Sequence, residues 1–287
     1  MILLADGGST KVHWCLIEDS KISTEVYTTG ANPFFRTSEC ISSELRVKLL
    51  PKLENASIQS VHFFGAGCAY PQINTVIERA IRDCFNVKQI EVGSDLMAAA
   101  KGLLGREAGI ACILGTGSNS CYYNGIEIVE TVSPLGYILG DEGSGAVLGR
   151  LFVGSCLKNQ LGDKLKKQFL EEYELTPQLI LDRVYKQPVP NQFLASLSPF
   201  ILKNIEHDSV YELVYNSFSD FFKKNVMQYN YEDNQVSLVG SVAYYFQTII
   251  LDVAEKLNIR IAKIEQSPMP GLIEYYANNK VIENDIC

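Results

Sequence analysis

Two segments of this chain share one uncommon pattern. Met1-Ile-Leu-Leu-Ala5 is an apolar run that reads as a buried strand, and Lys11-Val-His-Trp-Cys-Leu-Ile17 reads as a second strand. Between them lies the short polar turn Asp6-Gly7-Gly8-Ser9-Thr10. The same order returns later: Gly109-Ile-Ala-Cys-Ile-Leu114, then Gly115-Thr116-Gly117-Ser118-Asn119-Ser120, then Cys121-Tyr122-Tyr123. Glycine at such a turn lets backbone N–H groups approach an anion with no Cβ in the way. One such segment alone is better explained as an ordinary β-hairpin turn. Neither turn leads into a helix, which excludes the P-loop and the dinucleotide fingerprint, because both open a helix. Two hairpin loops in two halves point instead to a nucleotide clamped between two similar domains.

Length and charge narrow the class. The 287 residues are enough for two domains, and 47% hydrophobic with 20% charged residues is the composition of a globular protein. A net charge of -8 gives no electrostatic reason to bind nucleic acid. No apolar run has a membrane-spanning length, and the opening residues lack the basic region of a signal peptide. The eight cysteines (Cys15, Cys40, Cys68, Cys84, Cys112, Cys121, Cys156 and Cys287) include no C-x-x-C pair, and several lie in apolar runs. They read as reduced thiols, so a cytoplasmic location is expected. His13, His62 and His207 share no metal-ligand spacing, which argues against zinc. His13 and His62 lie inside strands, as core or edge residues.

Along the chain, a third strand is expected at 25–29, a loop at 30–35 and a helix over 38–50. Strand 61–64, helix 70–84, strand 87–92 and a helix opening at Gly93-Ser94-Asp95 follow. The second half repeats the order with strands near 109–114, 118–123 and 126–132, then a helix through Val147, Leu148, Leu151 and Phe152. Residues from about 156 to 235 have helical periodicity, broken near Pro177 and Pro188-Val-Pro190, and read as a helical insertion. Strand 236–239, a helix through 243–257, strand 259–263 and a helix at 272–277 close the chain. Each half is thus three strands followed by alternating helices and strands, a meander feeding parallel crossovers. The domains expected are 1–106 and 107–270, with the helix of 271–287 packing back on the first.

Asp6-Gly-Gly-Ser-Thr10, Gly115-Thr-Gly-Ser118 and Leu238-Val-Gly-Ser241 resemble the two phosphate loops and the adenosine loop of the sugar kinase/Hsp70/actin ATPase superfamily. Gly-Asp-Glu-Gly-Ser at 140–144 and Gly-Thr-Gly-Ser-Asn at 115–119 resemble its N-acetylglucosamine kinase branch, grouped with the BadF/BadG/BcrA/BcrD-type ATPases. The motifs keep the family's order over nearly the whole chain. The resemblance implies an α/β fold of two ribonuclease H-like (actin-like ATPase) domains with mixed five-stranded sheets and a helical insertion in the second. It implies ATP with Mg²⁺, a small sugar substrate, and allows a homodimer. Asp6 would hold magnesium through water. Gly7, Gly8, Ser9, Thr10, Gly115, Thr116 and Gly117 would line the phosphates, and Gly240 and Ser241 the adenosine. Asp95 matches the catalytic aspartate, and Asn32, Ser118, Asn119 and Asp141 match sugar contacts.

The chemistry of these residues suits the roles. Phosphoryl transfer is served by backbone donors and a metal, magnesium prefers carboxylate oxygens, and a sugar hydroxyl needs one carboxylate to take its proton. Plainer roles stand beside them. Asp95, Asp141 and Glu142 can serve only as helix N-terminal carboxylates, Asn32 as a turn former before Pro33, and Tyr244 and Tyr245 as packing residues. Two other functions share the family. An ATPase activator of a 2-hydroxyacyl-CoA dehydratase-type enzyme would hold a [4Fe–4S] cluster between subunits, with Cys121 and Cys156 as ligands. A sugar sensor would lack catalysis and would not need both Asp6 and Asp95. The zinc motif of the repressor/kinase branch is absent, and no G-x-S-x-G supports a serine hydrolase.

Overall fold

The computed structural model describes residues 1–8, 11–53 and 56–284, with side chains to residue 277. The chain divides into two compact units, one of Met1–Glu107, Gly125–Glu127 and Pro268–Cys287, the other of Ala108–Asn124 and Ile128–Ser267. The three residues Gly125–Glu127 and those from Pro268 onward therefore group with the first unit.

In the first unit, β1 (Ile2–Gly7), β2 (Lys11–Glu18), β3 (Lys21–Thr29), β4 (Ser60–Gly65) and β5 (Gln89–Ser94) form one sheet in the order β3-β2-β1-β4-β5. β1, β2 and β3 pair antiparallel, while β1–β4 and β4–β5 pair parallel. Helices α1 (Ser38–Glu44), α2 (Pro71–Arg82) and α3 (Asp95–Leu104) make the crossovers. α1 continues through a π-helical turn, Leu45–Leu49, and a 3-10 turn, Leu50–Lys52, that contains Pro51. Both faces of the sheet are covered, so β1 is apolar at consecutive positions rather than at alternate ones. Leu3 and Ala5 pack with Trp14, Phe63, Ile41 and Ile77 on one face; Ile2 and Leu4 pack with Cys15, Phe64 and Ala98 on the other.

The second unit repeats this plan with β6 (Gly109–Leu114), β7 (Ser118–Tyr123), β8 (Ile128–Val132), β9 (Val236–Val239) and β10 (Ile261–Glu265), ordered β10-β9-β6-β7-β8. Helices α4 (Gly136–Leu139) and α5 (Gly145–Leu157) follow the meander. α6 (Asp163–Glu172), α7 (Pro177–Tyr185), α8 (Pro190–Ala195), α9 (Ser198–Lys203) and α10 (Asp208–Lys224) form the helical insertion. Pro177 and Pro190 stand in the first turns of α7 and α8, where a missing N–H costs no bond. Phe152, Phe169 and Phe200 meet with ring centroids 5.1–5.6 Å apart and join α5 to the insertion. α11 (Ser241–Tyr245) and α12 (Gln247–Lys256) lead to β10.

Several boundaries differ from the sequence reading, each for a local reason. β5 runs to Ser94 rather than Val92, because Ser94 is the extended N-cap of α3 and pairs with Gly65. The single helix expected over 243–257 is two, broken at Phe246, whose buried ring packs on Phe218. β10 begins at Ile261 rather than Ile259. Asn258, at φ 55, closes α12, and the Ile259 N–H returns to the Ala254 carbonyl at 2.9 Å, a Schellman cap with Ile259 as its buried anchor. The short helix α4 has no counterpart in the sequence reading.

The last helix, α13 (Met269–Asn284), is longer than the expected 272–277, since Pro270 falls in its first turn. It covers the second face of the first sheet: Met269, Leu272 and Tyr276 join the core of Ile2, Leu4 and Phe64. It crosses α3 so closely that a Cβ on Gly271 would collide with the Gly102 carbonyl oxygen, and one on Gly102 would lie 2.6 Å from the Pro268 carbonyl oxygen. Beside this crossing the Lys101 ammonium bonds Glu91 (2.5 Å) and the Tyr276 hydroxyl (3.0 Å), and Tyr276 in turn donates to Glu91 at 2.6 Å. His62 Nδ1 lies 2.8 Å from the same carboxylate. Burial acts to raise the Glu91 carboxyl, but bonds from His62, Lys101 and Tyr276 hold it down at about 2.

Gly271→Ala must push the α3 and α13 backbones apart and is expected to lower the unfolding free energy by about 1–3 kcal/mol in urea titration. Gly154→Ala, in α5 with open space around it, is expected to be neutral or stabilising by up to about 1 kcal/mol. Equal effects at the two positions would contradict a close crossing.

Candidate active site

In the first unit, two acidic residues are set at the ends of neighbouring elements. Asp6 is the penultimate residue of β1, paired with His13 across β2 and with Phe64 across β4. Gly7 follows where space is short: a Cβ there would lie 3.0 Å from the Phe63 ring and 3.1 Å from the Phe64 carbonyl oxygen. Gly8 is exposed, and Ser9 and Thr10 lie outside the described residues. Asp95 is the first residue of α3. Ser94 caps that helix by accepting from the Met97 N–H at 3.1 Å, and Asp95 Oδ1 accepts from the Leu96 N–H at 2.9 Å. Asp95 thus does serve as a helix N-terminal carboxylate, but the cap itself is Ser94.

Burial governs this pair, with the Asp95 charge adding at Asp6. The Asp6 carboxyl is raised to about 6 by burial first and by the Asp95 charge second, with Lys11 opposing. Asp95 is raised by burial, against which the N–H groups of Leu96 and of Asp95 itself act. Both carboxylates are half-buried, and carboxylate oxygens are the donors that a hard divalent cation takes.

In the second unit, the 115–117 turn is built by strand geometry and by the start of α5. The Gly115 N–H bonds the Gly117 carbonyl at 2.9 Å. The Gly145 and Ala146 N–H groups donate to the carbonyls of Gly115 (2.8 Å) and Thr116 (3.1 Å). Two of the orphan donors of α5 thus anchor the turn, and Ser144 caps the helix by accepting from Val147 at 3.2 Å. A Cβ on Gly117 would lie 3.1 Å from Asp141 Oδ2. The Ser118 N–H bonds Asp141, whose carboxyl is raised to about 6 by burial, with that N–H opposing and Glu142 adding. Asp141 itself sits at φ 51, and its N–H donates to the Pro134 carbonyl at 2.8 Å. Gly117, Ser118 and Asp141 are therefore brought together, while Asn119 Oδ1 accepts from the Ser120 N–H at 2.9 Å.

Gly240 has φ 123 and packs on the Leu114 carbonyl, with no room for a Cβ. Ser241 is exposed at the start of α11. Asn32, in the first unit, makes a local turn: Oδ1 accepts from the Phe34 N–H at 2.9 Å, and its carbonyl accepts from Phe35 and Arg36. Asn32 thus acts as a turn former, with its side chain against Gly67.

Two sequence readings are corrected. Tyr244 and Tyr245 are 38% and 56% exposed and pack edge-to-face on each other rather than in the core, because the break at Phe246 turns α11 outward. Cys121 and Cys156 are wholly buried, and burial raises their thiols to about 12 and about 11. Thiols so placed do not face a surface where a second subunit could share a cluster. Sequence reasoning also missed Lys11, whose charge eases the ionisation of Asp6, and Asn225, whose side chain approaches Glu142 at 3.4 Å. Lys11 was detectable as the cation nearest the first turn; Asn225 left no signal.

Asp6 allows a stability test. Its folded value, about 6, lies above the ordinary 3.8, so the folded state holds the proton more tightly. That contribution is full below about 4 and is lost as pH rises through about 6. Asp6→Asn is expected to raise unfolding free energy by about 1–3 kcal/mol at pH 7.5 and to change it little at pH 4. Urea titrations at the two pH values check this.

No protein-family model matches the chain. Over 207 residues, 67% of each chain, it is 30% identical to an N-acetylmuramic acid/N-acetylglucosamine kinase of Clostridium acetobutylicum. A candidate N-acetylglucosamine kinase from Porphyromonas gingivalis superposes with a TM-score of 0.94 at 46% identity, covering 98% of this chain and 100% of that one. A glucokinase from Streptomyces griseus, solved with glucose and AMPPNP, shares the fold at 13% identity and a TM-score of 0.57, over 95% and 97% of the two chains. With its two mixed five-stranded sheets, the chain belongs to the N-acetylglucosamine kinase-like family of sugar kinases with the actin-like fold.

Proposed function

We propose that the protein transfers the γ-phosphoryl group of ATP to a hydroxyl of an amino sugar, N-acetylglucosamine foremost. The observation that carries this reading is Asp95, a buried carboxylate fixed at the start of α3 by the Ser94 cap. The relatives support the sugar: one is an N-acetylmuramic acid/N-acetylglucosamine kinase and another a candidate N-acetylglucosamine kinase. The AMPPNP held by the glucokinase supports ATP as donor.

In this reading Asp95 accepts the proton of the attacking hydroxyl while its oxygen bonds to the γ-phosphorus. The bond from phosphorus to the β-γ bridging oxygen breaks, and ADP leaves. Asp6 would hold Mg²⁺, which would neutralise charge on the phosphates. The N–H groups of Gly7, Gly8, Ser9, Thr10, Gly115, Thr116 and Gly117 would line the phosphates, where backbone donors need no reorganisation. Gly240 and Ser241 would flank the adenosine. Asn32, Ser118, Asn119 and Asp141 would bind the sugar, and Asp141 and Asn119 can each bond two hydroxyls.

ADP release with ATP and Mg²⁺ across N-acetylglucosamine, N-acetylmuramic acid, N-acetylmannosamine, glucosamine and glucose tests the reading. N-acetylglucosamine is expected to give the largest kcat/KM and a phosphorylated product; no stimulation by any sugar would refute the proposal. Asp95→Asn is expected to cut kcat by about 10²–10⁴ while ATP binding persists. Turnover near that of the unchanged protein would remove Asp95 from the proton transfer.

A further inference from the structure

His13, Cys15 and Glu25 form the one group of three metal-ligating side chains found among the described residues, their ligand atoms all within 4.8 Å of one another. The strand geometry makes the group. His13 and Cys15 are two apart on β2 and so share a face, and Glu25 is the direct partner of Cys15 on β3. No fixed spacing along the chain marks such a set, so the sequence argues against a transition-metal site.

The distances suit a shared ion. His13 Nε2 lies 3.3 Å from Cys15 Sγ and 3.2 Å from Glu25 Oε1, and the sulfur lies 3.9 Å from that oxygen. Ligands of a tetrahedral zinc-type ion, at ~2.0–2.3 Å from the metal, stand about 3.3–3.6 Å from one another. Without an ion the group is held by weak bonds: the Cys15 thiol donates to Glu25 over a long 3.9 Å, and one ring nitrogen faces both the sulfur and the carboxylate. The ring is already oriented, because Tyr27 stacks on it at 4.5 Å with planes 9° apart. Glu25 is about half exposed, so the group opens to solvent, which can supply a fourth ligand. Lys11, whose ammonium lies 4.8 Å over the Tyr27 ring, is the opposing charge nearby.

We propose that His13, Cys15 and Glu25 bind one borderline divalent transition ion such as zinc or cobalt, with water completing the shell. Imidazole and thiolate donors select such an ion over magnesium, so this site is distinct in ligand class from Asp6. Binding replaces the Cys15 thiol proton, which passes to solvent, with a sulfur–metal bond. The imidazole binds through Nε2 with its proton on Nδ1.

The test uses the full chain, freed of metal by a chelator, kept reduced and titrated with cobalt(II). A thiolate-to-cobalt charge-transfer band with the visible bands of a four-coordinate ion is expected to saturate at one equivalent and to be displaced by zinc. Cys15→Ser should abolish the charge-transfer band. His13→Asn and Glu25→Gln should each weaken cobalt binding at least about tenfold, and Cys40→Ser, at an exposed thiol outside the group, should leave it unchanged. Because Cys15 is buried, circular dichroism checks the fold of Cys15→Ser, and the other two variants decide the matter if it is altered. Absence of the band, its persistence at full strength in both His13→Asn and Glu25→Gln, or its loss in Cys40→Ser would overturn the proposal.

Discussion

The first unit depends on one backbone contact, the crossing of α3 and α13 at Gly102 and Gly271. Neither position has room for a Cβ. The closeness brings Met269, Leu272 and Tyr276 down onto Ile2, Leu4 and Phe64, which would otherwise leave one face of the sheet open to water. It also seats α3, and α3 begins with Asp95. The position of the proposed base is thus set at the opposite end of its own helix, by a segment more than 160 residues away in sequence. The Lys101–Glu91–Tyr276 cluster then makes the crossing specific, since a buried ammonium and carboxylate must each find partners at that spot.

The same unit treats its acidic groups in two opposite ways. Glu91 is buried beside a lysine, a tyrosine hydroxyl and a histidine, and is held down as an anion. Asp6 and Asp95 are half-buried and pushed up, Asp6 with the Asp95 charge adding to its burial. The first arrangement is complete within the fold. The second leaves negative charge that an outside cation would relieve. Burial alone does not separate a structural carboxylate from a reactive one; the sign of the neighbouring charge does.

Most of the strand plan was legible because both sheets follow the same rule. An apolar run buried on two faces, ended by glycines and hydroxyl residues, is a strong signal at 2–7 and again at 109–114. The placement of the candidate residues was legible where local sequence fixes it: Asp6 at the end of β1, Gly115 to Gly117 at a strand turn and Asp95 at the start of α3. What escaped was set by tertiary contacts. The break at Phe246 comes from packing on Phe218, and α4 rests on a left-handed Leu135 that no propensity favours. The His13, Cys15 and Glu25 group needed the β2–β3 register, which periodicity does not give.

The placement of α13 also bears on the order of assembly. During synthesis the strands of the first unit emerge before the second unit, but the helix that covers Ile2, Leu4 and Phe64 emerges after it. Until then that face is an apolar surface without its cover. The second unit, uninterrupted except for three residues, can close first. The first unit must wait for a contact of very long sequence separation, and such contacts form slowly because a large loop has to close before they stabilise anything. The completion of the proposed catalytic half is therefore tied to the emergence of α13, and the nascent protein is most exposed to aggregation while it waits.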